Sequence, residues 1–251
     1  MGKFFRYAAW LLLVALLAGC NLHGPGSIFV TEANISREQA KLFMLAVYWG
    51  ALVFVVVSVA FGYAIWRFRA KDEEDAKAIP EQVHGNTILE ISWTFLPLVL
   101  VIILAIPTVR LTMLQESEAN RTAAEELRVN VTGYQWWWKF EYPEYGITTA
   151  NEVHIPEGRR VTFYLESADV LHSFWVPHLA GKKDVIPTQE NILWFIPDNA
   201  KSEPYYGQCA ELCLGAHAYM RFRVKVDTQS DFDTWVSSFN KPLCKKLPPI
   251  R

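Results

Sequence analysis

Residues 42 to 66 run for twenty-five positions without a charged side chain, more than the ~20 residues an α-helix needs to cross the hydrocarbon core of a bilayer. That pattern predicts a membrane span. A second uncharged run of nineteen positions, Ile91 to Val109, predicts another. Pro97 and Pro107 fall inside it, where neighbouring helices re-satisfy the backbone groups that a proline releases. Tyr48, Trp49, Tyr63, Trp66 and Trp93 lie towards the ends of the two runs, as aromatic side chains do at a membrane surface. From Leu127 the period drops to two. Leu-Arg-Val-Asn-Val at 127–131, Val-Thr-Phe-Tyr-Leu at 161–165 and Met-Arg-Phe-Arg-Val-Lys-Val at 220–226 alternate, the mark of half-buried strands. Turn signals at Pro143, Gly146, 156–158, Pro187 and 197–199 separate short strands at even spacing, which favours a sandwich or Greek-key barrel. After Ser230 the apolar positions become Phe232, Trp235, Val236 and Phe239, a short amphipathic helix capped by that serine and packed on the barrel.

Charge orients this pattern. Arg67, Arg69, Lys71 and Lys77 sit between the two spans; Lys/Arg density of this kind marks a cytoplasmic loop, and the acidic residues at 72–75 count little in that rule. Two crossings return the chain to the outer face, so everything after about Val109 is expected outside the cytoplasm. The N-terminus agrees independently. Lys3 and Arg6 precede an apolar run from Ala8 to Ala18, and Leu-Ala-Gly-Cys ends at Cys20. These are the regions of a secretory signal, and they resemble a bacterial lipoprotein signal, which implies cleavage before Cys20 and lipid on its sulfur. An uncleaved membrane helix holding a buried cysteine is the alternative. The chain therefore divides into a signal peptide at 1–19, an extracytoplasmic N-terminal segment at 20–40, a first span at 41–66, a cytoplasmic loop at 67–87, a second span at 88–110, a linker at 111–125, an extracytoplasmic β domain at 126–240 and a tail at 241–251.

The candidate chemistry lies in Cys-Ala-Glu-Leu-Cys-Leu-Gly-Ala-His-Ala-Tyr-Met at 209–220. Two thiols, an imidazole and a thioether in twelve residues form a soft ligand set suited to copper rather than to magnesium or calcium. A mononuclear blue-copper loop has one Cys, one His and one Met, with a second His from an earlier strand. Here the second thiolate leaves room to bridge a second ion, and His172 in Asp-Val-Leu-His-Ser-Phe-Trp-Val-Pro is available as the second imidazole. A disulfide between Cys209 and Cys213 is one alternative in an oxidising compartment. A zinc site is another, although zinc sites rarely use Met. His23, His84, His154 and His178 fall outside the pattern and read as surface or locally hydrogen-bonded residues. The formal net charge of −2 excludes strong nonspecific attraction to nucleic acid. Cys244, in the tail, is an odd thiol without a role.

The ligand segment, Gly-Tyr-Gln-Trp-Trp-Trp-Lys-Phe-Glu-Tyr-Pro at 133–143, the His172 segment and Tyr-Tyr-Gly-Gln-Cys at 205–209 together resemble subunit II of the haem-copper cytochrome c oxidases. The likeness covers roughly residues 40 to 240 in matching order. It implies a two-helix transmembrane hairpin followed by a cupredoxin-like Greek-key β-barrel, in a bacterial cytoplasmic membrane with the barrel on the periplasmic side. It also implies a dinuclear CuA centre with Cys209 and Cys213 as bridging thiolates, His172 and His217 as terminal ligands, and Met220 and the Glu211 carbonyl as weak axial ligands. The Glu211 side chain would share a magnesium site with subunit I.

By the same resemblance, Trp136 is the point of electron entry from a cytochrome c donor, flanked by the docking acids Glu141 and Asp169, while Glu90 stands at the entrance of a proton pathway into subunit I. The implied function is to pass electrons to haem in subunit I, where oxygen is reduced to water with proton translocation. The partners would be that subunit, with its haem and copper, other oxidase subunits, the donor and membrane lipid. The pattern departs from the family at Leu214, where Gly usually follows the second Cys, and at Ala168, which is commonly acidic. Three consecutive tryptophans cannot all face a core in a strand, so at least one is expected at the surface. No Cys-x-x-Cys-His haem-attachment motif occurs in the sequence, so the donor is expected to be a separate protein. A quinol oxidase subunit without copper, or a membrane-anchored copper carrier working alone, are the competing functions.

Overall fold

The structure, a computed structural model, describes Tyr7, Trp10, residues 22–71, Glu73, Ile79, Gln82, residues 84–119 and residues 126–239. It separates into a helical unit, Glu38–Glu118, and a second unit that holds the rest.

The helical unit carries α1 (Asn34–Phe68) and α2 (Thr87–Ala119), although the first turn of α1 belongs to the other unit. Both uncharged runs lie within these helices. Their most apolar windows have mean hydropathies of 2.5 and 2.4 and are 0% buried, so the side chains need an apolar medium that the protein itself does not supply. Asn86 starts α2: its Oδ1 accepts the N–H groups of Ile88 and Leu89 at 3.1 and 3.2 Å, which is how an N-cap satisfies orphan donors. Pro97 and Pro107 are both inside α2.

The second unit is a sandwich of two mixed sheets. One has the order β3 (Ile147–Ala150), β2 (Trp137–Tyr142), β1 (Leu127–Tyr134), β5 (Val161–Ser167), β8 (Asn191–Phe195). The other runs β4 (Glu152–Pro156), β10 (Arg221–Asp227), β9 (Tyr205–Cys209), β6 (His172–Trp175), β7 (Lys183–Val185). β1 runs parallel to β5 and β10 parallel to β4, while the remaining pairs are antiparallel. The alternation read from sequence becomes burial: Leu127, Val129 and Val131 face in from β1, and Phe222, Val224 and Val226 from β10. Aromatic rings join the layers. Trp138 meets Phe174 and Phe222 edge-on, each with centroids 5.5 Å apart, and Phe174 stacks on Phe222 at 4.6 Å. Such pairs add to what burial alone gives.

Two additions close this unit. α3 (Gln229–Phe239) follows β10 and buries Phe232 completely. Its cap is Thr228 rather than Ser230, because Thr228 Oγ1 accepts the Asp231 N–H at 3.2 Å and donates to the Asp231 carboxylate at 2.8 Å, a reciprocal arrangement that Ser230, already inside the helix, cannot make. The segment before α1 and the first turn of that helix strap the sandwich: Ala33 bridges Pro197, the Ile196 N–H donates to Asn34 Oδ1 at 2.8 Å, and Glu32 and Arg37 pair with Lys201 and Asp198.

Candidate metal centre

Strand pairing explains why distant residues meet. β6 pairs with β9 so that Phe174 lies opposite Cys209, and the pairing continues past the strand end, with the Ala210 N–H donating to the Ser173 carbonyl at 2.9 Å. His172, two residues before Phe174, is thereby carried to the first thiol. The loop that follows returns to the same place because the Cys209 N–H donates to the Met220 carbonyl at 2.9 Å, so it is closed at both ends. Within it, the short 3-10 helix His217–Tyr219 lifts His217 back towards Cys213.

Cys209 Sγ lies 3.8 Å from Cys213 Sγ and 3.9 Å from His172 Nδ1; Cys213 Sγ lies 3.5 Å from His217 Nδ1 and 3.8 Å from Met220 Sδ. The Glu211 carbonyl is 3.2 Å from Cys209 Sγ. Cys209 and Cys213 are free thiols, their separation being far above the ~2.05 Å of a disulfide bond. The donor atoms of His172, Cys209 and Cys213 all lie within 4.8 Å of one another. His172 and Met220 are wholly buried and Cys213 almost so. Two sulfurs flanked by two imidazole nitrogens and a thioether is the composition that soft copper ions prefer. Burial alone would raise both thiols. At Cys209 the His172 ring, the Glu211 and Ser173 backbone and His217 outweigh it and bring the group down to about 6. At Cys213 burial and the neighbouring Cys209 charge push it up to about 12. Two sulfurs this close do not ionise independently, because the charge on one opposes the charge on the other, and the pair loses its protons in separate steps.

The motif glycines have steric reasons. A Cβ on Gly133 would lie 3.0 Å from His172 Cδ2, and one on Gly207 would lie 2.3 Å from the Phe222 ring. The first leaves room for the buried imidazole and the second for the ring at the centre of the core. Leu214 has the opposite character: its φ of 74° is in the left-handed region that favours glycine, so the departure at this position carries conformational strain.

The three tryptophans take three environments. Trp136 lies in the turn before β2, 40% exposed, with its indole N–H donating to the Cys213 carbonyl at 2.8 Å. Trp137 faces outward and stacks on Tyr134 at 4.8 Å, and Trp138 is core, beside His172. Gln135, which the sequence did not single out, donates from Nε2 to the same Cys213 carbonyl at 3.2 Å. Asp169 is bound inward: its Oδ1 is 2.8 Å from His172 Nε2 and its Oδ2 accepts the Gln135 N–H at 2.6 Å. The spacing Asp-x-x-His was the available signal for that contact. Glu141 pairs with Lys139 at 3.1 Å on β2. Glu90 is in the first turn of α2, in the helical unit, and its carboxylate reaches back towards Gly85. His154 sits between Asp227 and Glu152, and His178 contacts the Gly24 carbonyl, as local roles require. Cys20 and Cys244 lie outside the described residues.

Comparison with known proteins follows the same division. The cytochrome C oxidase subunit II transmembrane domain matches residues 29–111, and the periplasmic domain of the same family matches residues 145–227. Cytochrome c oxidase subunit 2 of Alkalihalophilus pseudofirmus is 40% identical over 243 residues, covering 94% of this chain and 68% of that protein. Quinol oxidase subunit 2 of Bacillus cereus is 32% identical over 227 residues, covering 90% and 76%. Among solved structures, the periplasmic domain of subunit II of cytochrome oxidase from Bradyrhizobium japonicum is similar at 28% identity with a TM-score of 0.45, covering 49% of this chain and all of that one.

Proposed function

The chain belongs to the cytochrome c oxidase subunit II family, a membrane subunit with a periplasmic domain that works with other oxidase subunits, and from that premise we propose that it is the electron-entry subunit of a cytochrome c oxidase. It takes electrons from a cytochrome c-type donor at a dinuclear copper centre and passes them to haem in subunit I, in a bacterial cytoplasmic membrane. The observation that carries this reading is the convergence of His172, Cys209 and Cys213 within 4.8 Å, with His217 and Met220 against the second thiol.

Cys209 and Cys213 would hold the copper pair between them, His172 and His217 from the ends, and Met220 and the Glu211 carbonyl weakly from the sides. When bound, that pair supplies a one-electron redox couple whose charge is shared over two metals. The protein's part is to keep the couple rigid and dry. Buried His172, Cys213 and Met220 exclude water, and the loop closure from Cys209 to Met220 fixes both ends. Trp136 offers a route inward, being partly exposed and hydrogen-bonded to the Cys213 carbonyl. Glu211 has an exposed carboxylate, which supports its sharing a magnesium ion with subunit I. Glu90 would take protons from the cytoplasmic face for subunit I, and Cys20 would carry lipid.

The competing quinol oxidase reading needs no copper here and leaves five convergent donor side chains without a purpose. A stand-alone copper carrier leaves the two long apolar helices and Glu90 unexplained. Purified full-length chain loaded with copper should bind two ions and give an electron paramagnetic resonance signal shared over two nuclei. A single ion, or a signal from one nucleus, would favour the carrier. Trp136→Ala should slow reduction by the donor protein far more than it weakens copper binding, because Gln135 still holds the Cys213 carbonyl.

A further inference from the structure

We propose that Asp169 is the positioning residue that sets the His172 ring for copper and ties it, through the Gln135–Trp136 turn, to the loop carrying the second thiol. This rests on the copper reading above and extends it to a residue to which the family resemblance gives only a part in donor docking.

A neutral imidazole has one N–H, and which nitrogen carries it decides which is available to a metal. His172 is wholly buried, with Nδ1 facing Cys209 Sγ at 3.9 Å and Nε2 2.8 Å from Asp169 Oδ1. A carboxylate only accepts, so in the neutral ring the proton stays on Nε2 and the Nδ1 lone pair is left to face Cys209 Sγ. Carboxylates placed behind a ligand histidine orient it and raise its basicity.

The carboxylate is itself held. Asp169 Oδ1 also accepts the Val170 N–H at 2.6 Å, the Asp169 N–H donates to Ser167 Oγ at 3.3 Å, and Ser167 Oγ donates to the Val170 carbonyl at 2.5 Å. Its other oxygen accepts the Gln135 N–H at 2.6 Å. From that turn the Gln135 amide and the Trp136 indole both donate to the Cys213 carbonyl, at 3.2 and 2.8 Å. The hydrogen bonds therefore run from His172 through Asp169 and the turn to Cys213. They join an imidazole on β6 to the backbone of the cysteine on the loop after β9. Asp169 keeps 29% of its side chain exposed, yet both of its oxygens are engaged in the frame.

The test uses the full-length chain in detergent. Without copper, the ring nitrogens of His172 in the wild type should show a single tautomer by ¹⁵N NMR, protonated at Nε2, and Asp169→Ala should give a mixture. With copper, Asp169→Asn should weaken binding about 10–100-fold in chelator competition and raise the midpoint potential, because a less basic histidine stabilises the oxidised metal less, relative to the reduced one. Asp169→Glu, which keeps the carboxylate, should recover part of both, whereas a residue needed only for folding would give no such recovery. The proposal is overturned if Asp169→Asn leaves tautomer, affinity and potential unchanged and alters only the ionic-strength dependence of reduction by the donor; Asp169 is then a docking acid. If the wild type takes up no copper pair, the functional reading fails separately, and the copper-free ring measurement still decides whether Asp169 sets the tautomer.

Discussion

Phe54 in α1 is 71% exposed and Phe174 in β6 is 0% exposed, although both are apolar side chains in apolar surroundings of sequence. The sandwich satisfies its side chains internally: Phe174 touches Phe140, Phe163, Trp138 and Phe222. The helices bury none of their most apolar windows and depend on the hydrocarbon around them. Apolar residues in the two units thus solve different problems. In one they create specificity by packing, which is dense and intolerant of change; in the other they meet a solvent that accepts any apolar shape. The candidate metal-ligating residues His172, Cys209, Cys213 and Met220 lie in the first kind of environment, where neighbours do not rearrange freely.

The largest expected effect tests that division directly. Phe174→Ala removes the ring at the junction of both sheets and should cost about 3–5 kcal/mol, read as a lowered unfolding temperature of the β unit in calorimetry of the detergent-solubilised chain. Phe54→Ala should leave that transition where it is. Equal shifts for the two would mean that the helical residue is packed as tightly as the core residue, and the contrast would be lost.

A second substitution separates stability from metal binding. Gly133→Ala sets a methyl 3.0 Å from His172 Cδ2, and overpacking of this size costs about 1–3 kcal/mol. Because the imidazole is the group that must give way, copper content should fall while the chain remains folded by circular dichroism. Retention of full copper loading would show that the ring has slack that the close contact does not suggest.

These outcomes bear on what the sequence made legible. Membrane-length runs and strand alternation follow from solvent and from the period of the backbone, which any window of sequence displays, so the helices and the inward rows of β1 and β10 were readable in advance. The donor set was readable because Cys209, Cys213, His217 and Met220 are close in sequence. Contacts fixed by long-range register were less accessible. The motif around His172 named the residue, but only the pairing of Phe174 with Cys209 shows how it arrives. The Asp-x-x-His spacing hints at the contact of Asp169 with His172, but its second anchor, the Gln135 N–H, lies thirty-four positions away, and no local pattern encodes that one. The helix cap moved from Ser230 to Thr228 for a similar reason: two plausible capping hydroxyls lie in one stretch, and β10 ending at Asp227 decides between them.

The smallest predicted effect has the opposite sign. Leu214 holds φ at 74° with its side chain 67% exposed, so it bears the left-handed penalty of roughly 1–2 kcal/mol for a residue with a Cβ and regains little of it by burial. Leu214→Gly removes that penalty but restores ~0.5–1 kcal/mol of unfolded-chain freedom, leaving a net stabilisation of up to about 1.5 kcal/mol. Urea unfolding followed by tryptophan fluorescence should register it as a higher midpoint with unchanged slope, since no buried surface is altered. The loop keeps its hydrogen bond from the His217 N–H to the residue 214 carbonyl, 3.0 Å long, because that bond uses only backbone. A lower midpoint would mean that the exposed leucine packs on something other than water, which would move Leu214 from the strained, solvent-facing part of the loop to its structural part.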